Sequence, residues 1–175
     1  MKKFVLFSIL ASLLFPTLIF AASATPASEP VRYELPYPGM LPDNPLYFLK
    51  QARDWILDKL IVDPVKKTEF YILQGDKRLA MGIQLAEAGN GILSEQIISK
   101  GEKYMNNAVQ SLFALKTQGK DVPAYITDHV AQALAKHEEV ITAEIGKTSD
   151  AAVTSGLTGS LNLVHTLQGE LPELK

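Results

Sequence analysis

The prolines decide where this chain can be helical. Pro36, Pro38, Pro42 and Pro45 fall close together, with Gly39 among them. Proline fixes φ and has no N–H to donate, so residues 34–45 can form neither a helix nor a central strand. They predict an extended, turn-punctuated arm. Its apolar members Leu35, Tyr37, Met40 and Leu41 suit it to lie against other elements. Pro45 follows Asp43 and Asn44, and Pro64 follows Asp63. A capping side chain followed by proline at the first helical position marks a helix start, because the missing N–H would be unpaired there anyway.

Apolar periodicity fills in the rest. Helix 1 is expected from Pro45 to near Val62. Leu46, Leu49, Ala52, Ile56 and Leu60 recur at helical spacing, and Phe48, Trp55 and Leu57 widen that stripe. Lys50, Arg53, Asp54 and Asp58 fall on the other side, the pattern of a helix whose apolar stripe faces a core. Helix 2 should run from Pro64 to about Ala88. Val65, Ile72, Leu79 and Ala86 share a face with Thr68, Gly75 and Gly82. Small residues in alternate layers would let another backbone approach, at a cost of ~1 kcal/mol of helix propensity per glycine. Gly89-Asn90-Gly91 ends this helix. Helix 3 is expected over about 93–118, with Ile97, Gly101, Tyr104, Ala108, Leu112 and Leu115 inward. Asp121 is placed to cap helix 4, expected over about 123–145 with Ile126, Val130, Ala133, His137 and Ile141 on one face. Ser149 or Asp150 would cap helix 5, in which Val153, Leu157, Leu161 and Val164 face inward. Leu171 to Lys175 reads as a tail. Short connections favour antiparallel neighbours. The expected fold is all-α: an up-and-down bundle of four to five helices with an extended Pro-rich N-terminal arm, one domain over residues 34–170.

Residues 1–24 read as a signal peptide. Lys2 and Lys3 precede an apolar run from Phe4 to Phe20, and Ala22-Ser23-Ala24 is a small-residue cleavage site, with cleavage after Ala24. The alternative is an uncleaved membrane anchor, against which Pro16 interrupts a run already short for a span of ~20 residues. Residues 25–33 are polar and proline-containing and read as a flexible linker. The expected location is exported and extracytoplasmic. Removing Lys2 and Lys3 from the 17 basic residues leaves 15 against 19 acidic ones, a net charge near −4. That balance argues against a nucleic-acid partner and against a polybasic membrane patch. Membrane contact is expected only through the signal segment, if it stays uncleaved. The absence of cysteine removes disulfides, thiolate metal sites, covalent haem attachment and cysteine nucleophiles together.

Few residues suggest chemistry. His129, His137 and Glu144 share a face of helix 4 and are weak metal candidates, because helical ligands usually sit three or four residues apart. Met40, Met81 and Met105 are conceivable haem ligands, but methionine in a helical seam is usually core filler. No G-x-S-x-G motif and no phosphate loop is present. No enzyme activity and no cofactor is expected. The aromatic group Tyr33, Tyr37, Tyr47, Phe48 and Trp55, beside the prolines, either grips a peptide or glycan or fixes the arm to the bundle.

Three separated motifs carry a resemblance. Pro38-Gly39 precedes Pro45-Leu46-Tyr47-Phe48-Leu49-Lys50. Asp63-Pro64-Val65-Lys66-Lys67 opens helix 2. Asp76-Lys77-Arg78-Leu79 follows on it. Over about residues 33–88 the chain resembles a family of bacterial exported helical domains of unknown function. That resemblance implies a helical, extracytoplasmic domain. It singles out Pro38, Gly39, Pro45, Tyr47, Lys50, Asp63, Pro64, Lys77 and Arg78 as motif or interaction residues. The chain departs from the pattern at Thr68, Gly75 and Gly82. The function expected is a non-enzymatic exported domain that binds an envelope protein, glycan or other envelope component. The alternatives are a metal- or haem-binding bundle and an envelope chaperone-like protein.

Overall fold

From Pro64 onward the apolar periodicity becomes four long helices. The computed structural model describes residues 30–174. In it, α1 spans Tyr47–Leu60, α2 Pro64–Glu87, α3 Gly91–Thr117, α4 Ala124–Lys147 and α5 Ala151–Glu170. No strand occurs among the described residues. The signal peptide, the Ala24 cleavage site and the start of the linker lie outside them. Val31 and Tyr33, at the linker's far end, are held on the bundle: Val31 N donates to Glu139 Oε2 at 2.6 Å, and Tyr33 reaches α2.

Local chemistry sets most boundaries. Asp63 Oδ1 accepts from Lys66 N at 2.8 Å, and Pro64 takes the first turn of α2. Gly89 ends α2 at φ +81°, in the left-handed region that glycine alone enters without a Cβ penalty. Asn90 then caps α3 through Leu93 N, and Asp150 caps α5 through Ala152 N and Val153 N. Two expected caps differ. Asn44 Oδ1 accepts from Leu46 N at 2.9 Å and so closes a turn before α1, which places Pro45 in that turn rather than in the helix. Asp121 does not cap α4, which starts after Pro123 without a side-chain cap.

Helices α2–α5 form a four-helix bundle around Ile72, Leu79, Ile98, Met105, Leu112, Ile126, Leu134, Ile141 and Val164. Direction alternates along the chain. α3 nevertheless lies across the bundle from α4, and α5 takes the place beside α3. Ser99 Oγ meets Ser160 Oγ at 2.8 Å and Gln110 Nε2 donates to Glu170, so α3 and α5 run parallel. Tyr125 at the start of α4 donates to Glu69 at the start of α2, which makes those two parallel as well. The segment expected as a tail belongs to the core: residues Leu171–Leu174 form a 3-10 turn with both leucines buried. Two leucines three residues apart give such a turn one apolar face.

The small residues of α2 meet α3. A Cβ on Gly82 would overlap Ile98, and one on Gly75 would lie 2.8 Å from Met105 Sδ and 3.3 Å from the Gly101 carbonyl oxygen. Ser94 Oγ donates to the Gly82 carbonyl at 2.7 Å. A side chain at either position would displace Ile98 or Met105, and at Gly75 it would also crowd the facing backbone.

Helix α1 reverses the expected polarity. Only Tyr47 and Asp54 are buried, while Phe48, Leu49, Trp55, Ile56 and Leu60 are 49–69% exposed. Its inward side carries Tyr47, half-buried Lys50, Asp54 and Asp58, because α2 offers polar partners there. Lys67 Nζ donates to the Asp58 carbonyl at 2.9 Å, and Lys50 Nζ lies 3.8 Å from Met81 Sδ. A small satellite cluster of Tyr47, Met81, Leu85 and Ile97 supplies the apolar part of the contact.

Gly82→Leu should lower unfolding free energy by ~1–3 kcal/mol through overpacking against Ile98. Urea denaturation checks this, and an unchanged midpoint would show that α2 and α3 do not lie this close.

Candidate functional site

Three helices each send one ionisable side chain to the same interior point. His137 from α4 is fully buried. Its Nδ1 lies 2.7 Å from Glu102 Oε1 on α3, and its Nε2 lies 3.1 Å from Asp76 Oδ1 on α2. Both carboxylates are buried as well. Asp76 Oδ2 accepts from the Tyr33 hydroxyl at 2.6 Å, and that oxygen stands 3.1 Å from His129 Nε2. The arm is thereby tied to the same network. Glu102 Oε2 has no hydrogen-bond partner among the described residues.

Burial opposes charge on His137, but Glu102 and Asp76 on either side outweigh it and raise its pKa to about 9. The ring is an imidazolium at neutral pH, donating from both nitrogens. Burial, then the Asp76 hydrogen bond and charge, push the Tyr33 hydroxyl well above the usual range. Such a network is expensive to assemble and more expensive to break, because a lone remaining charge is left buried. It sits inside the bundle, where no substrate reaches His137. It ties α2, α3 and α4 to one another at one buried point.

The three weak metal candidates are not brought together. His137 is enclosed by carboxylates from other helices, and His129 stands at the arm. Glu144 pairs with Lys147 at 2.7 Å and lines a separate cavity with Glu87 and Gly91. Eight- and seven-residue steps along one helix separate ligands by about two turns, more than a single ion spans. Among the described residues, no three His, Asp or Glu side chains are placed to hold a metal ion.

The motif residues divide into structural groups. Pro38 is buried, and its carbonyl accepts from Lys50 Nζ at 2.9 Å. Gly39 turns the arm at φ +74° beside that ammonium. Burial pushes Lys50 down to about 8, with Asp54 opposing the shift. Pro38, Gly39 and Lys50 therefore clip the arm to α1. Pro45 is an exposed turn residue, and Asp63 and Pro64 start α2. Lys77 lines a shallow hollow with Tyr37 and Met40. Arg78 is buried, its guanidinium 4.1 Å from the centroid of the Tyr104 ring.

The aromatic group splits. Tyr33 and Tyr47 point inward and fix the arm and α1, whereas Tyr37 is 81% exposed and Phe48 and Trp55 face solvent. Glu102 and the inward face of α1 carry no signal in the sequence; Asp76 stands there only as part of a motif and of a charged band on helix 2 expected at the surface, whereas Asp76 and Arg78 are buried. Acidic residues in helices are usually solvated, and nothing local marks these as exceptions.

A family model for a domain of unknown function (DUF5667) matches residues 39–151. The chain belongs to this family. The match runs from the arm's glycine to the first residue of α5, and so covers α1 and the His137, Glu102 and Asp76 side chains, but neither Pro38 nor Tyr33. Comparison with curated proteins and with solved structures finds no match.

Because His137 is charged more readily in the fold than at its ordinary 6.5, the stabilisation is complete below that pH. It is lost as pH rises through about 9. Urea unfolding should therefore show stability falling by ~2–3 kcal/mol across this window. His137→Leu should cost ~3–5 kcal/mol at pH 6.5 and flatten the dependence.

Proposed function

We propose that this chain is an exported, non-enzymatic bacterial domain that binds an envelope protein or another envelope component through the outward face of α1. The observation that carries the reading is the inverted helix. Phe48, Ile56, Leu49 and Leu60 share the exposed side of α1 with Lys59 among them, and Trp55 stands at its edge. An amphipathic helix normally turns that stripe to the core. Here the polar stripe is spent on the bundle and the apolar one is left for another surface. Contiguous exposed apolar area with aromatic anchors is a signature of interaction sites.

The arm adds Tyr37 and Met40 at one end of the face, and Val62 lies exposed at the other. The signal-like segment over residues 1–24 supports export. Among the described residues, no helix is long and apolar enough to cross a membrane. The lack of an accessible reactive constellation at the His137 network supports a binding role over catalysis.

The test is in-cell crosslinking and capture with the tagged full-length protein beside Phe48→Ser/Ile56→Ser. These residues face solvent, so circular dichroism and stability should be unchanged. Two exposed anchors of ~1 kcal/mol or more each predict at least about tenfold loss of one specific partner. Equal recovery with both proteins, or no specific partner with either, would overturn the reading.

A further inference from the structure

A second polar cluster lies apart from the His137 network, in a cleft of ≈ 220 Å³ between α1, α2 and α3. Asp54 and Asp58 line it from α1, Arg78 from α2, and Trp55, Tyr71 and Tyr104 add aromatic walls. Asp54 is 3% exposed. Its Oδ1 accepts from Arg53 Nη2 at 2.6 Å, but its Oδ2 has no partner among the described residues. Asp58 Oδ1 is without a hydrogen bond too, but its carboxylate has Lys67 Nζ at 3.6 Å and Lys59 Nζ at 3.7 Å, and burial together with a hydrogen bond to Asp58 pushes the Tyr71 hydroxyl up.

Arg78 is the complementary half. It is 5% exposed, and among the described residues no carboxylate pairs with it. Its Nη1 donates to the Gln74 carbonyl at 2.9 Å and to Gln74 Oε1 at 2.7 Å, and its Nη2 reaches the Tyr104 hydroxyl at 3.3 Å. The Nε–H and the second Nη2–H remain. Together they form the edge of the fork that grips a carboxylate through two parallel bonds.

A buried cation with an open bidentate edge and a buried carboxylate with an orphan oxygen thus share one cleft without pairing. The orphan carboxylate oxygen is costly while unsatisfied. A molecule that satisfies both must carry an anion and a cation at once. The cleft lies below the ~300–1,000 Å³ usual for drug-sized ligands, which restricts its occupant to a small molecule. We propose that the cleft between α1, α2 and α3 binds a small zwitterion of the α-amino acid class, with its carboxylate on Arg78 and its ammonium on Asp54 and Asp58. The aromatic walls add attraction for the ammonium and cover an aliphatic side chain. The site adjoins the outward apolar face, with Trp55 at the border of both, and its ligand would bridge α1 to the bundle from inside.

The chain has one tryptophan, Trp55, and it lines the cleft, so its fluorescence reports on occupancy. The purified protein would be titrated with the common L-amino acids one at a time, by calorimetry and by Trp55 emission. Ethylamine, acetate and inorganic phosphate serve as single-charge controls. At least one amino acid should bind, shift the emission, and bind about tenfold or more tightly than each control. Asp54→Asn and Arg78→Lys, each checked by circular dichroism, should both weaken that binding about tenfold, because one removes the negative pole and the other keeps charge but loses the fork. Should Arg78→Lys unfold, Asp54→Asn and the controls on the unmodified protein decide the question. No binding by any amino acid would overturn the proposal. So would equal binding by a single-charge control, or calorimetric binding without a change at Trp55.

Discussion

A charged imidazole between two carboxylates joins three of the bundle helices at one buried point. His137, Glu102 and Asp76 come from α4, α3 and α2. Apolar packing alone tolerates small slips between helices, because leucine, isoleucine and methionine exchange neighbours at low cost. Two hydrogen bonds with fixed directions to a ring do not. A shift of one residue along any of the three helices would leave a buried charge unpaired, at several kcal/mol. The network thus acts chiefly on specificity of arrangement, while the surrounding leucines and isoleucines supply the bulk of the stabilisation. Tyr33 extends the same device to the arm through Asp76.

The glycine seam is the second constraint, and it serves the first. Gly75 lies one residue before Asp76, and Gly101 one before Glu102. Close approach of the α2 and α3 backbones at these glycines brings both carboxylates near the bundle axis, where one imidazole can span them. The helix-propensity cost of the two glycines is about 2 kcal/mol. The same seam directs Arg78 toward Tyr104 and leaves a polar floor beneath α1. That floor explains the inversion of α1. A helix laid over Lys67 and Met81 gains by presenting Asp58 and Lys50 to them.

Much of the fold was legible in the sequence, because helix starts and stops rest on local chemistry. Asp63-Pro64, Gly89-Asn90 and Asp150 mark boundaries through their own side chains and dihedrals, and the structure places them there. The inward faces of α2–α5 follow from apolar spacing. What was not legible is tertiary. The apolar stripe of α1 predicted an inward face, and only the polar surface of α2 reverses it. His137 stood out from its seam, yet its partners lie 35 and 61 residues away on other helices, with no spacing rule to connect them. The metal reading of His129, His137 and Glu144 followed one helix, whereas the interaction runs across three. Leu171 and Leu174 looked like a tail because a 3-10 turn shows too little periodicity to be recognised.

A buried charged network and an exposed apolar helix face lie in one fold. The His137 network and the glycine seam hold α2, α3 and α4 in one register. The Lys50–Pro38 clip and Tyr47 hold α1 on top with its apolar face outward. The proposed binding through that face requires α1 to be kept in this orientation. The charge state of His137 tests the interior claim most directly. A long-range 1H–15N NMR spectrum of the histidine rings, recorded at pH 7.5 on the 15N-labelled protein, reads the protonation of both ring nitrogens. His137 should be an imidazolium, protonated at Nδ1 and Nε2. A neutral ring with one unprotonated nitrogen would contradict it.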